Sequence, residues 1–360
     1  MNTRCGGWPY CGRIFLFCLS FAPLFAQPNA GADSPASAPA ATANRRITLD
    51  VVVTDKSGKA MPGLEPQDFT LLDNKQPHRI LSLDAIGSAT ADPPVQVILI
   101  VDEVNTTFKY VSYERQEVEK FLGQSGGQLV RPTSLLFLSD SGAEMGKLST
   151  RDGNALVAEL NEHESGLRVN RKTQAIYGAT ELIQLSLRAL DQLAGFEAKK
   201  PGRKLVIWIS PGWPLLSGAR QELSPKNQET YFNSIVSFSD RLRRARMTLY
   251  SIDPLGTKDA GKMRASYYEG YVKGVKNVDQ VHIADLGLQV LAVQTGGRAV
   301  HADSDIAGEI TNCIADADAF YVLSFDGLPG DGPNEYHSIE IKVDKPGLTA
   351  RTRTGYYAQP

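Results

Sequence analysis

The sequence predicts an α/β protein: a doubly wound, mostly parallel sheet, with strands at both chain ends joining into a β-sandwich. Three observations carry this. Between residues 91 and 318, short apolar runs alternate with amphipathic stretches of helical period, as in strands linked through helices. Two of those runs, 95–101 (VQVILIV) and 205–209 (LVIWI), are apolar almost throughout, as strands covered on both faces must be. At residues 46–90 and 319–360 the pattern is strand-like, with no long helical period.

Residues 1–26 read as an export leader. Arg4 and Arg13 precede the apolar run 14–26 (IFLFCLSFAPLFA), which ends on small Ala26. The run is shorter than the roughly 20 residues of a membrane span. Residues 27–45, rich in Ala, Pro and Ser, hold too few large apolar side chains to offset their ordering entropy and predict a flexible tether. Cys5, Cys11 and Cys18 fall in the leader, so the mature chain keeps only Cys313 and forms no internal disulfide. Loss of Arg4 and Arg13 takes the formal charge from −2 to −4, which gives no pull toward nucleic acid.

In the N-terminal segment, Ile47, Leu49, Val51 and Val53 alternate with Thr48, Asp50 and Val52, a period of two broken only at Val52, and 69–72 and 80–83 read as two further strands. The central span then predicts a strand at 95–101 ending in Asp102, a helix at 108–122, a strand at 134–138 and an edge strand at 147–149. A short helix at 151–160 follows, then a long one at 173–196 with Ile183, Leu187 and Leu190 on one face. Next come a strand at 205–209, a helix at 234–245, a strand at 247–252, a helix at 281–295 stopped by Gly296-Gly297, a strand at 298–301 and a helix at 305–318. The closing strands are 320–325, 337–343 and 349–354. Two half-sandwiches would each expose an apolar face, so the two ends are expected to pair around the inserted α/β domain.

The opening segment VVVTDKSGKAMPGLEPQDFTLLDNKQP and the closing run Thr352-Arg353-Thr354-Gly355-Tyr356-Tyr357-Ala358 resemble the von Willebrand factor A-related proteins exported by Acidobacteria and similar bacteria. The resemblance covers residues 46–358. It implies a doubly wound sheet of the von Willebrand factor A type. It also implies a metal-ion-dependent adhesion site with an Asp-x-Ser-x-Ser pattern after the first strand, a Thr from a later loop and an Asp after the fourth strand. Such oxygens suit Mg²⁺ or Mn²⁺. Here Asp102 matches the first Asp, Thr106 stands for the second Ser and Thr173 fits the later Thr. Val104 offers no side-chain oxygen, and Ser210-Pro211 stands where the second Asp would be. The expectation is an incomplete site on Asp102, Thr106 and Thr173. Asp102 and Thr173 equally suit the capping of a turn or a helix.

Other motifs carry less. The five histidines are scattered, with His301 and Asp303 close together. Gly123-Gln124-Ser125-Gly126-Gly127 spells G-x-S-x-G, but a helix precedes it where a nucleophile elbow needs a strand. Arg241, Arg243, Arg244 and Arg246 suit a helix C-terminus. The connection 257–276 carries Tyr267, Tyr268 and Tyr271, residues suited to interfaces. The reading is a non-enzymatic envelope protein that recognises or assembles with a protein partner. Its contact site is the crevice at Asp102, flanked by the loop 211–225 and the tyrosine loop. The rivals are an envelope hydrolase at the same strand ends and a purely structural envelope protein.

Overall fold

The computed structural model describes residues 45–87, 94–106, 108–163, 176–213, 223–255, 267–302 and 304–360. The leader, and the tether up to residue 44, lie outside the described residues.

Four strands open the chain: β1 (Arg46–Thr54), β2 (Phe69–Asp73), β3 (Gln76–His78) and β4 (Ser82–Gly87). The central span holds β5 (Gln96–Asp102), α1 (Phe108–Leu122), β6 (Gln128–Ser139), β7 (Gly142–Met145), β8 (Thr150–Asp152) and α2 (Gly153–Glu162). It continues with α3 (Ile176–Glu197), β9 (Lys204–Ile209), α4 (Pro225–Arg244), β10 (Met247–Asp253), α5 (Leu288–Gln294), β11 (Ala299–His301) and α6 (Ile306–Ile314). The chain closes with β12 (Ala319–Asp326), β13 (Glu335–Val343), β14 (Thr349–Arg351) and β15 (Gly355–Ala358).

Both sheets of the sandwich mix the chain ends. One runs β14-β1-β12-β4 and the other β15-β13-β2-β3. Ile47, Leu49 and Val51 of β1 and Leu323 and Phe325 of β12 face Leu71 of β2 and Ile339 and Ile341 of β13 across a shared core. The opposite face of the first sheet presents Val52 and Phe320 to the core of the α/β domain. β1 and β12 are thus covered on both sides, which explains the Val51-Val52-Val53 run that breaks the two-residue alternation.

The central sheet runs β7-β6-β5-β9-β10-β11, with β8 also pairing β6. β6, β5, β9, β10 and β11 are parallel, and β7 and β8 are antiparallel to β6. Numbered within the domain with β8 set aside, the order is 3-2-1-4-5-6, that of a doubly wound sheet. Alternation along each strand feeds two apolar layers. Ile98, Ile100, Val206 and Trp208 point to α3, α4 and α5. Val97, Leu99, Val101, Leu205 and Ile207 point to α1, α2 and α6.

Some boundaries differ from expectation. The edge strand expected at 147–149 lies instead at β7, formed after the Asp140-Ser141 turn, and at β8. α4 begins nine residues before the expected 234, because Ser224 caps Asn227 N–H and Pro225 occupies the first helical position. The helix expected at 281–295 is a 3₁₀ turn at Ile283–Leu286 followed by the short α5. It ends where Gly296 takes φ +89°, and a Cβ on Gly297 would lie 1.6 Å from the Leu249 carbonyl oxygen.

Candidate functional site

In an open doubly wound sheet, ligands meet the C-terminal strand ends where the strand order reverses. Here that point lies between β5 and β9, beside Asp102 and Ser210. Asp102 is completely buried. Its Oδ1 accepts the backbone N–H of Val104 (2.8 Å) and of Asn105 (3.0 Å). Its Oδ2 accepts Asn105 Nδ2–H (2.8 Å) and Trp208 Nε1–H (3.0 Å). Asn105 Nδ2 also donates to Ser186 Oγ at 2.9 Å, tying the turn to α3. Ser210 is buried too, and its Oγ accepts Gly212 N–H at 3.0 Å. The segment after β9 is held down by Gln289 Nε2, which donates to Pro211 O, and by Leu288 N–H, which donates to Trp213 O. The Trp208 and Trp213 rings pack 4.6 Å apart.

This arrangement tests the implied Mg²⁺ or Mn²⁺ site. A hard cation needs converging oxygens with free lone pairs. Around Asp102 the geometry supplies four N–H donors instead, which an approaching cation would have to displace. Val104 contributes only its amide, and the Ser210 hydroxyl is engaged as an acceptor. Among the described residues, no three His, Cys, Asp or Glu side chains group to hold a metal. Asp102 and Ser210 therefore offer a cation no open oxygens; Asp102 braces the turn after β5. Thr173, and residues 214–222 of the loop expected beside the crevice, lie outside the described residues.

Thr106 is buried, and its hydroxyl has no hydrogen bond of normal geometry. Beside it lies Glu114 of α1, fully buried, with both carboxylate oxygens likewise unpartnered. Burial, then the Asp102 charge, holds the Glu114 carboxyl well above the usual range, and the Thr106 hydroxyl offsets only part of this. Asp253 at the end of β10 and Glu103 add further negative charge nearby. Arg115 pairs with Glu103 at 3.3 Å. This inward acidic group escaped sequence reading, since only its position one turn into a buried helix face signals it.

The remaining motifs resolve locally. His301 Nδ1 lies 3.5 Å from Asp253 Oδ2, and Asp303 lies outside the described residues. Cys313 is buried in the apolar layer under α6, where burial pushes its thiol up to about 12. Ser125 sits in a 3₁₀ turn between α1 and β6, with φ +53°. In the sandwich, His337 Nδ1 lies 2.9 Å from Asp73 Oδ1, and the Tyr356 hydroxyl donates to Asp73 Oδ2 at 2.7 Å. His337 Nε2 lies 3.9 Å from Glu335 Oε1 and makes no hydrogen bond among the described residues.

An open cleft lies on the tyrosine connection. It encloses about 770 Å³ and is lined by Tyr267, Tyr271, Lys273, Val275, Lys276, Gln280, His282 and Asp285, among others. The Tyr267 and Tyr271 hydroxyls are 2.8 Å apart, with ring centroids 5.3 Å apart. His282 stands edge-on to Tyr271, 5.7 Å away. These rings form one wall. Tyr357 fixes the floor by donating to Val275 O at 3.0 Å, and Gly274 passes so close to Tyr336 that a Cβ there would lie 2.0 Å from the ring. Asp285 is buried and accepts His282 N–H at 2.7 Å; burial raises its carboxyl to about 6 against that bond. A second cavity of about 560 Å³ shares Lys276 and adds Lys75, Glu335 and Tyr336.

No family model and no curated protein matches this chain. Among solved structures, the von Willebrand factor A domain of SpRpn10 is 11% identical, with 66% of this chain and 98% of that chain covered and a TM-score of 0.30. The pilus adhesin SpaC of Lactobacillus rhamnosus GG is 10% identical over 83% of this chain and 43% of its own, with a TM-score of 0.36. The N-terminal domain of TFIIH p34 is 13% identical over 44% and 80%, with a TM-score of 0.23.

Proposed function

We propose that this chain is an exported recognition protein of the bacterial cell envelope. It captures a protein partner through the tyrosine-lined cleft, without catalysis and without a metal ion. The observation that carries the reading is the cleft itself. Its volume suits a ligand or peptide segment. Its wall of rings and its lysines combine apolar contact with positive charge, while the Asp102 crevice is sealed by its own hydrogen bonds. Tyrosine gives large contact area at low entropic cost. Lys273 and Lys276, with Lys75 in the adjoining cavity, favour an acidic segment on the partner. The leader-like N-terminus supports export, and among the described residues no helix is long and apolar enough to cross a membrane.

The test is a photo-crosslinking side chain placed at Tyr267 in cells that make the protein. The expected result is one crosslinked protein, lost when Lys273 and Lys276 are both changed to Glu. A probe at Phe196, an exposed ring on α3, serves as the control and should give no such product. No product at Tyr267, or one that survives both charge reversals, would reject the reading.

A further inference from the structure

One guanidinium at the junction between the sandwich and the α/β domain is buried without a carboxylate paired to it. Arg353, in the connection from β14 to β15, is only 7% exposed. Its Nη1 donates to Ser239 O at 3.3 Å, and among the described residues it forms no ion pair. The carboxylates nearby are already engaged. Asp50 pairs with Arg246, and Asp240 is shared by Arg243 (2.6 Å) and Arg244 (2.8 Å). Burial, then the Arg243 charge, pushes the Arg353 guanidinium down to about 9, so it stays charged at neutral pH. A buried charge without a counter-charge is costly, and proteins supply a partner for it.

Arg243, Arg246 and Arg353 together line one small cavity of about 20 Å³ beside Thr48, Thr295 and Thr352. Arg246 Nε is buried with no hydrogen-bond acceptor. The hydroxyls of Thr295 and Thr352 are turned to the backbone, donating to Ala292 O and Asp50 O, and Thr295 Oγ1 also accepts Leu249 N–H. Asp50 also borders the cavity, but Arg246 and Thr352 hold it. A volume of this size admits one water-sized or slightly larger particle. It is too small for an organic ligand.

We propose that Arg353, Arg243 and Arg246 form a seat for a single small inorganic anion of chloride size, which pins the sandwich to the C-terminal end of α4. The site is independent of the tyrosine cleft. It gives a use to two features of the sequence at once: the arginine run at the end of α4 and the arginine of the closing Thr-Arg-Thr-Gly-Tyr-Tyr segment.

Thermal unfolding of the whole protein, at constant ionic strength with chloride replacing gluconate, tests the proposal. The midpoint should rise saturably, by about 3 °C once chloride exceeds its dissociation constant some tenfold. Arg353→Gln should abolish the saturable part. Arg243→Gln, a change at a half-buried side chain, should shift the chloride dependence to several-fold higher concentration. Crystals soaked in bromide should show anomalous density beside the Arg353 guanidinium, a readout that needs no variant. A wild-type midpoint indifferent to chloride, an unchanged response in Arg243→Gln, or bromide density elsewhere but not at Arg353 would each overturn the proposal.

Discussion

The Asp102 crevice and the tyrosine cleft both hold polar side chains on connections of the α/β domain, yet they are opposites. In the crevice, one carboxylate meets four N–H donors, and Glu103, Asn105, Thr106 and Ser210 are all more than nine-tenths buried. In the cleft, Tyr267, Lys273, Lys276 and His282 are exposed and face an open volume. The difference teaches that residue type does not make a site. A carboxylate whose lone pairs are all engaged is structural, whatever its place in a motif, whereas tyrosines and lysines with open faces retain capacity for a partner.

The sharpest way to break this contrast is Asp102→Ala. It would strand the N–H groups of Val104, Asn105 and Trp208 in a buried space, each at a cost of roughly 1–3 kcal/mol when unsatisfied. Allowing for relaxation, a loss of about 4 kcal/mol is expected, read from the urea midpoint at unchanged slope. A loss under about 1 kcal/mol would mean that the carboxylate is not the brace described.

Asp285 sharpens the cleft side. Its folded carboxyl titrates at about 6, above the ordinary 3.8. The folded state therefore holds the proton more tightly than the unfolded state. Stability from this group is fully present below about pH 4 and is lost as pH rises through 6. Asp285→Asn should raise stability at pH 7.5 by about 2 kcal/mol, with the gain shrinking to nothing near pH 4. A gain of equal size at both pH values would assign it to packing rather than to the buried charge.

Smaller still is Lys276→Glu, at an exposed position between the two cavities. Unfolding midpoints should place its effect on stability within about 0.5 kcal/mol. Crosslinking from Tyr267 should nevertheless weaken, because the charge that faces the partner is reversed. A large loss of stability would instead make Lys276 a structural residue.

Legibility in the sequence followed the range of the interactions. α1 was bounded correctly at 108–122 because an amphipathic period runs through it and Gly123 follows its last residue. The doubly wound sheet was legible because β5 and β9 are apolar on both faces. The early start of α4 was signalled by Ser224-Pro225, but residues 226–230 are all polar and gave no apolar period. The 3₁₀ turn before α5 was hidden because Val281, Ala284, Leu288 and Leu291 keep a helical spacing, and only the Gly287 break and the reach of Asp285 back to His282 N–H distinguish it. The site was least legible. Asp102 is saturated partly by Trp208, 106 residues away, and no spacing rule reports a hydrogen bond across two strands.

The smallest expected effect decides the most about function. Titration of the protein with Mg²⁺ or Mn²⁺ should give no saturable heat, and millimolar metal should leave the unfolding midpoint unmoved. The reason is energetic. To ligate a cation, Asp102 must surrender hydrogen bonds from Val104, Asn105 and Trp208, while Val104 brings no side-chain oxygen and the Ser210 hydroxyl already serves Gly212. Metal ligation would therefore act against the fold, and any binding would appear as destabilised packing around Trp208, visible as a change in tryptophan fluorescence. Saturable binding that leaves that fluorescence constant and disappears in Asp102→Ala would show that the turn opens without cost. It would then return the partner site from the tyrosine cleft to the strand ends of β5 and β9.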